Sequence, residues 1–117
     1  MNHLNSVLIE GNITREPVLK KTSGDPVCTF VIASDRFYKK GSVKEKETGF
    51  FEIHAWGKLA VIAHSYGHKG RGIRVEGRLK HDRWNGPDGN QRSKIVIVAE
   101  NLELRPENKK EAESEKV

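Results

Sequence analysis

The 117-residue sequence contains a single cysteine, Cys28, and aromatic residues make up only 7% of it. One cysteine cannot form an internal disulfide, so a disulfide scaffold is excluded and a reducing compartment is expected. No apolar run approaches the roughly 18 residues that a membrane-spanning helix requires. Residues 1–10 lack the basic start and long apolar centre of a secretory signal peptide. We therefore expect one cytoplasmic domain without membrane association.

Motifs for catalysis and metal binding are also missing. The sequence has no Gly-x-x-x-x-Gly-Lys-[Ser/Thr] phosphate loop and no Gly-x-Ser-x-Gly nucleophile turn. His64 and His68 are spaced four apart, but no glutamate follows His64 and other zinc ligands are lacking. Cys28 lies in an apolar stretch, where an inert core thiol is expected. These absences predict a protein that is not an enzyme and needs no metal or cofactor.

The positive charge is concentrated in the first 105 residues. The net charge is +5, and residues 106–117 contain three lysines and four glutamates, which leaves 18 basic against 12 acidic residues in the body. A basic body favours an anionic partner such as nucleic acid. Residues 106–117 are polar and without periodicity, so we expect a short disordered tail after a domain spanning residues 1–105.

Alternation of apolar and polar residues predicts five strands, and one segment has helical spacing. The predicted strands cover residues 4–13, 27–37, 49–56, 73–84 and 92–104, with Val18 and Leu19 continuing the first. Leu59, Ile62, Ala63 and Tyr66 form the apolar stripe of a short helix ended by Gly67. Residues 39–48 are polar and charge-rich, which predicts a mobile loop, and residues 85–90 predict a hairpin tip. This order predicts an all-β oligonucleotide-binding barrel of five strands, with the helix between strands 3 and 4.

The last strand is apolar on both faces, from Ile95 to Ala99. One face can fill a barrel, but the other must also be covered. A second copy of the chain could cover it, and so could a loop or the helix.

Large aromatic residues occupy outward positions among cations. Phe50 and Trp56 lie on the outward side of the third predicted strand, and Trp84 lies on the outward side of the fourth, beyond Arg78 and Lys80. Exposed aromatics are costly unless something covers them, and a stacked nucleobase can do so. Neighbouring cations would then bind phosphates. The alternative is that Phe50 and Trp56 face a second subunit or lie under the 39–48 loop.

Residues 4–105 resemble the bacterial single-stranded DNA-binding protein family. The similarity is carried by the order and spacing of short motifs: Asn5 to Ile13 (NSVLIEGNI) with Pro17, residues 56–60 (WGKLA), residues 66–70 (YGHKG), and residues 75–79 (VEGRL) followed by Trp84. The resemblance implies a homotetramer that coats single-stranded DNA without sequence preference. Its members act in replication, recombination and repair and associate with the nucleoid.

The resemblance also implies site residues. The stacking aromatics fall on Phe37, Phe50, Trp56 and Trp84, and phosphate-contacting cations fall on Lys58, Lys69, Lys80 and Arg83. The charge pattern adds Lys39, at the start of the charge-rich 39–48 segment, and Arg78, on an outward strand position.

The sequence departs from the family at three places. Glu52 and Asp82 replace basic residues, which should weaken local phosphate binding. Residues 113–117 (ESEKV) do not form the acidic tip, ending in Pro-Phe, through which members recruit replication or repair enzymes, so recruitment by that route is not expected. Two alternatives remain: a primosome-like subunit that mainly contacts replication proteins, and a single-stranded RNA chaperone. The chain lacks the dense aromatic cluster within one strand pair that cold-shock RNA binders use.

Overall fold

A computed structural model describes residues 1–107 and shows six strands and one helix. In chain order they are β1 (Val7–Ile13), β2 (Val18–Lys20), β3 (Val27–Lys40), β4 (Val43–Trp56), α1 (Lys58–Tyr66), β5 (Gly72–Asn85) and β6 (Gln91–Leu104). Within these residues, no helix is long and apolar enough to cross a membrane. The predicted tail lies outside the described residues, apart from Pro106 and Glu107.

The five long strands form a closed barrel. β1 pairs with β5, β5 with β6, β6 in parallel with β4, β4 with β3, and β3 returns to β1 through Asn12 and Ile13. The short β2 pairs with β3. A closed five-stranded barrel with one helix is consistent with the oligonucleotide-binding fold.

The position of the helix differs from the prediction by one strand. α1 follows the fourth strand of the chain and precedes the fifth, because Val18–Lys20 forms a strand of its own. Pro17 has no backbone N–H to donate to a ladder, and β1 ends at Ile13. Thr14 then bonds to the Val31 carbonyl, so the chain turns before β2 begins. The helix nevertheless connects the same two barrel strands that the prediction named.

The prediction of a mobile loop at residues 39–48 is wrong. β3 and β4 pair without interruption from Val27–Trp56 out to Lys40–Val43, and a tight turn at Gly41 and Ser42 joins them. Gly41 has φ 66°, a conformation that glycine adopts at little cost. Residues 35–48 extend beyond the barrel, and we call this segment the β3–β4 arm.

The barrel interior is filled by β-branched side chains from several strands. Ile13, Ile32, Ile53, Ile73 and Val75 are the largest of the fully buried residues in this cluster. Each is flanked along its strand by less buried residues, as period-two strands require. Cys28 is also completely buried, and its burial raises the pKa of the thiol.

The helix packs on the barrel through small residues, which differs from the predicted stripe. Ala60 and Ala63 are buried and Leu59 is partly buried, whereas Ile62 and Tyr66 are exposed. The small alanines lie where α1 contacts the barrel core, so the buried stripe is shifted by one position. The helix ends at Gly67, as predicted, and the Gly67 N–H donates to the Ala63 carbonyl.

Both faces of β6 are buried within a single chain. Ile97 and Ala99 point into the core, while Val96 and Val98 are buried on the opposite face. Val96 lies across from Lys80, and Val98 lies between Arg78 and His54. Both valines are already buried in the single chain, beside these cross-strand neighbours, so their burial needs no second copy.

Candidate nucleic-acid interface

One surface of the sheet gathers the aromatic side chains that the sequence singled out. Paired residues of neighbouring strands point to the same side, and the register pairs Ala33 with Phe50, His54 with Val98, and Lys80 with Val96. We call this side of β3, β4, β6 and β5 the outer face. By alternation it carries Phe37, Phe50, Trp56 and Trp84.

These four side chains are strongly exposed. The exposed fraction is 74% for Phe37, 68% for Phe50, 43% for Trp56 and 44% for Trp84. Large aromatic rings left exposed on one side of a sheet are a feature that marks binding sites. Flat aromatic rings spaced along the β-strands suit a ligand with several flat groups, because each group can stack on one ring.

Cations lie between and beside the rings. Arg78 and Lys80 are on the outer-face positions of β5, and Lys39 is on the outer face near the tip of the arm. Lys58 begins α1, two residues after Trp56, and is exposed. Lys80 Nζ lies 3.3 Å from Asp82 Oδ1, so Asp82 partly neutralises this cation.

The β3–β4 arm has two chemically different faces. The outer face carries Phe37, Lys39, Lys44 and Lys46. On the other face Arg36 lies 3.9 Å from Glu47, the Tyr38 hydroxyl donates to Glu45 at 3.0 Å, and the Arg36 guanidinium lies 5.1 Å from the Tyr38 ring centroid. The carboxylates of Glu45 and Glu47 therefore lie on the face opposite to these lysines.

Two of the expected phosphate contacts lie away from the outer face. Arg83 alternates to the opposite side of β5 from Lys80 and Trp84, and its Nε donates to His81 Nδ1 at 3.3 Å. Lys69 lies in the turn between α1 and β5, where its backbone N–H donates to Glu16 at 3.1 Å. The structure does not bring either residue among the four aromatic rings.

Lys94 belongs to the outer face, although the sequence analysis did not identify it. Its Nζ lies 5.8 Å from the Trp84 ring centroid and donates to Glu52 Oε2 at 2.9 Å. Alternation in the last strand places Lys94 on the side of Val96 and Val98, which is a sequence signal for it. The apolar run from Ile95 to Ala99 dominates the pattern of this strand, so the sequence alone did not single out Lys94.

Glu52 lies near the middle of this surface and is held by two basic side chains. His54 Nε2 is 2.6 Å from Glu52 Oε2, and Lys94 Nζ bonds to the same oxygen. Burial acts to raise the pKa of Glu52, but the hydrogen bonds and charges of Lys94 and His54 outweigh it and lower the pKa below its ordinary value. Glu52 is therefore an ionised acceptor at neutral pH.

No metal-binding cluster accompanies this surface. Among residues 1–107, no three His, Cys, Asp or Glu side chains are grouped so that they could hold a metal ion. His68, considered above with His64, bonds instead to Glu107 at 3.1 Å. The surface offers exposed aromatic rings, cations and the carboxylates of Glu52 and Asp82, and these groups suit the binding of a ligand.

A closed five-stranded barrel with exposed aromatics and cations on one face defines an oligonucleotide-binding type of domain. Residues 4–105 match the Single-strand binding protein family, and the chain belongs to that family.

Named relatives support the assignment. The single-stranded DNA-binding protein of Treponema pallidum is 38% identical over 105 residues, which cover 89% of this chain and 59% of that protein. Single-stranded DNA-binding protein 1 of Synechocystis is 37% identical over 113 residues, covering 95% of this chain and 91% of that one. A solved Plasmodium falciparum SSB complex with ssDNA has the same fold, with a TM-score of 0.80, 23% identity and coverage of 91% and 98%.

Proposed function

We propose that the chain binds single-stranded DNA without requiring a particular sequence and protects it, in replication, recombination and repair. The main observation in support of this proposal is the set of four exposed aromatic rings among cations on the outer face. The names of the relatives point the same way, as does the ssDNA complex of the structural neighbour. The role is one of binding, without catalysis or cofactor, in the cytoplasm and at the nucleoid.

Bases stack on Phe37, Phe50, Trp56 and Trp84, and stacking contributes about 1–3 kcal/mol per base with any base type. Phosphates are held by Lys39, Lys58, Arg78 and Lys80, which releases counterions and makes affinity fall with salt. Lys69 and Arg83 contact DNA only where the bound DNA strand extends beyond the outer face. Bound DNA is unavailable for re-annealing or nuclease attack by mass action.

We propose a homotetramer as the working unit. Within the described residues, Val7–Gly11 of β1 pairs only with β5, which leaves one strand edge open for a second chain. Leu8, on this strand, is 70% exposed and borders a shallow surface pocket with Arg74 and Glu76. An open edge beside an exposed leucine supports self-association.

Intrinsic tryptophan fluorescence, measured while oligo-dT is added at low and then high salt, tests the DNA-binding proposal. Both tryptophans of the chain, Trp56 and Trp84, lie on the outer face, so saturable quenching is expected, and much of it should persist at high salt because stacking is uncharged. A folded protein without quenching would contradict the proposal and favour a primosome-like subunit that uses Phe50 and Trp56 against proteins. Competition with an RNA oligomer of equal length separates DNA binding from an RNA chaperone.

A further inference from the structure

We propose that Glu52 makes the outer face prefer bases that carry an exocyclic amino group over thymine. The stacking rings accept any base, and the carboxylate adds a graded preference to that tolerance. This inference rests on the proposed binding of single-stranded DNA, because it concerns which bases that same face favours.

Within residues 1–107, the hydrogen bonds to Glu52 leave one of its two carboxylate oxygens without a protein partner. Both protein hydrogen bonds, from His54 at 2.6 Å and from Lys94 at 2.9 Å, reach Oε2. Within residues 1–107 no hydrogen bond reaches Oε1. The Glu52 side chain is 32% exposed, so Oε1 can meet a bound molecule. Two bonds to one oxygen fix the carboxylate and reduce the entropy lost when the other oxygen binds.

The position of Glu52 relative to the rings puts base edges within its reach. Phe50 lies two residues away on the same face of β4, at a spacing of about 7 Å along the strand. On the other side, Lys94 contacts Glu52 and also lies over the ring of Trp84. A base stacked on Phe50, which leaves the contact between Lys94 and Glu52 in place, can therefore present its edge towards the carboxylate.

The chemistry of a carboxylate discriminates among these edges. An ionised carboxylate only accepts hydrogen bonds, and the lowered pKa of Glu52 keeps it ionised. Cytosine N4, adenine N6 and guanine N2 each offer amino hydrogens, and Glu or Asp is a known acceptor for cytosine N4. The N3–H of thymine stands between two carbonyl oxygens, which a carboxylate repels.

A purely electrostatic role for Glu52 predicts something different. By holding Lys94 and repelling phosphates, the carboxylate would weaken binding of every DNA to the same degree, whatever its bases. The ratio of affinities for two homopolymers separates the two roles, because a uniform penalty cancels in the ratio.

The experiment compares oligo-dC with oligo-dU of equal length by fluorescence titration of the full chain. The two bases differ at C4, which carries an amino group or a carbonyl, and at N3, which accepts in cytosine and carries a hydrogen in uracil, and dU avoids the extra methyl group of thymine. Glu52→Gln is nearly isosteric but adds an amide that can donate to a carbonyl. Glu47→Gln is the matched control, since Glu47 lies on the same strand but on the opposite face of the arm, beside Arg36.

We expect the dC-to-dU affinity ratio of the wild-type chain to be at least about threefold higher than that of Glu52→Gln. Glu47→Gln should keep the wild-type ratio. An equal gain in affinity for both oligomers in Glu52→Gln, or an unchanged ratio, overturns the proposal while single-stranded DNA binding stands. In the wild-type chain alone, which needs no variant to fold, a ratio at or below one also overturns it. Absence of binding to either oligomer would instead overturn the proposed function.

Discussion

Trp84 and Trp56 are both outer-face rings, but their surroundings differ. Lys94 lies over the Trp84 ring, whereas Trp56 ends β4 next to the start of α1. A base that stacks on Trp84 must displace the ammonium group, whose exposed cation–π contact is worth about 0.5–1 kcal/mol. The two rings should therefore contribute unequally to the binding of DNA.

We predict that Trp56→Ala and Trp84→Ala each weaken binding of oligo-dT by about 1–3 kcal/mol, with Trp84→Ala at the lower end. Fluorescence of the remaining tryptophan and anisotropy of a labelled oligomer give the affinities. Tyr38→Ala is the control, because this exposed ring lies on the opposite face of the arm beside Arg36. Unchanged affinity in both folded tryptophan variants would show that the rings do not stack on bases.

At the residue scale, the sequence predicted the outward positions of Phe50, Trp56 and Trp84 because alternation within one strand is a local property. It did not predict the contact between Glu52 and Lys94, which are 42 residues apart. That contact depends on the parallel pairing of β4 with β6, and no local pattern reports which strands become neighbours. Family resemblance alone placed Arg83 among the DNA contacts, whereas alternation along β5 places it on the opposite side from Lys80.

Among the elements, the β3–β4 arm shows why sequence patterns predict a loop where the chain forms two paired strands. Strand signals come from apolar residues that alternate at a half-buried surface, but both faces of the arm meet solvent. The alternation is present in charge: Lys44 and Lys46 share one face, and Glu45 and Glu47 share the other. A hairpin of this kind can extend a binding surface without a core of its own.

The arm gives a matched pair of neighbouring lysines. Lys39 lies on the outer face and Lys40 on the other, so we predict that Lys39→Gln lowers the salt slope of DNA binding by about 0.7 and Lys40→Gln lowers it by less. Titrations with oligo-dT at several salt concentrations measure the slopes. Equal slopes for the two variants would mean that the arm attracts DNA by total charge, without regard to its faces.

For the whole molecule, the order of elements along the chain was the most predictable property, since five apolar segments and one helical segment already favour a closed barrel. The covering of β6 was not predictable. Val96 and Val98 are apolar, and the sequence left open whether a second copy, a loop or the helix covers them. Both are buried within the single chain, beside Arg78, Lys80 and His54, which become their neighbours only in the folded sheet. The candidate surface for self-association is therefore the open edge of β1, which is separated from β6 by β5.

A substitution of Leu8 tests whether the chains associate through β1. Its cross-strand partner is Glu76, so Leu8→Lys can form an ion pair within the chain while it replaces the exposed apolar group by a charge. We predict that the wild-type chain has about four times the monomer mass by light scattering, and that Leu8→Lys shifts the distribution to smaller species.

Val43→Lys is the matched control, since Val43 is also exposed but lies beside the turn of the arm, and it should keep the wild-type mass. Because Leu8 lies outside the outer face, tryptophan quenching per chain should survive in Leu8→Lys. A wild-type monomer, or equal masses for both variants, would contradict assembly through β1.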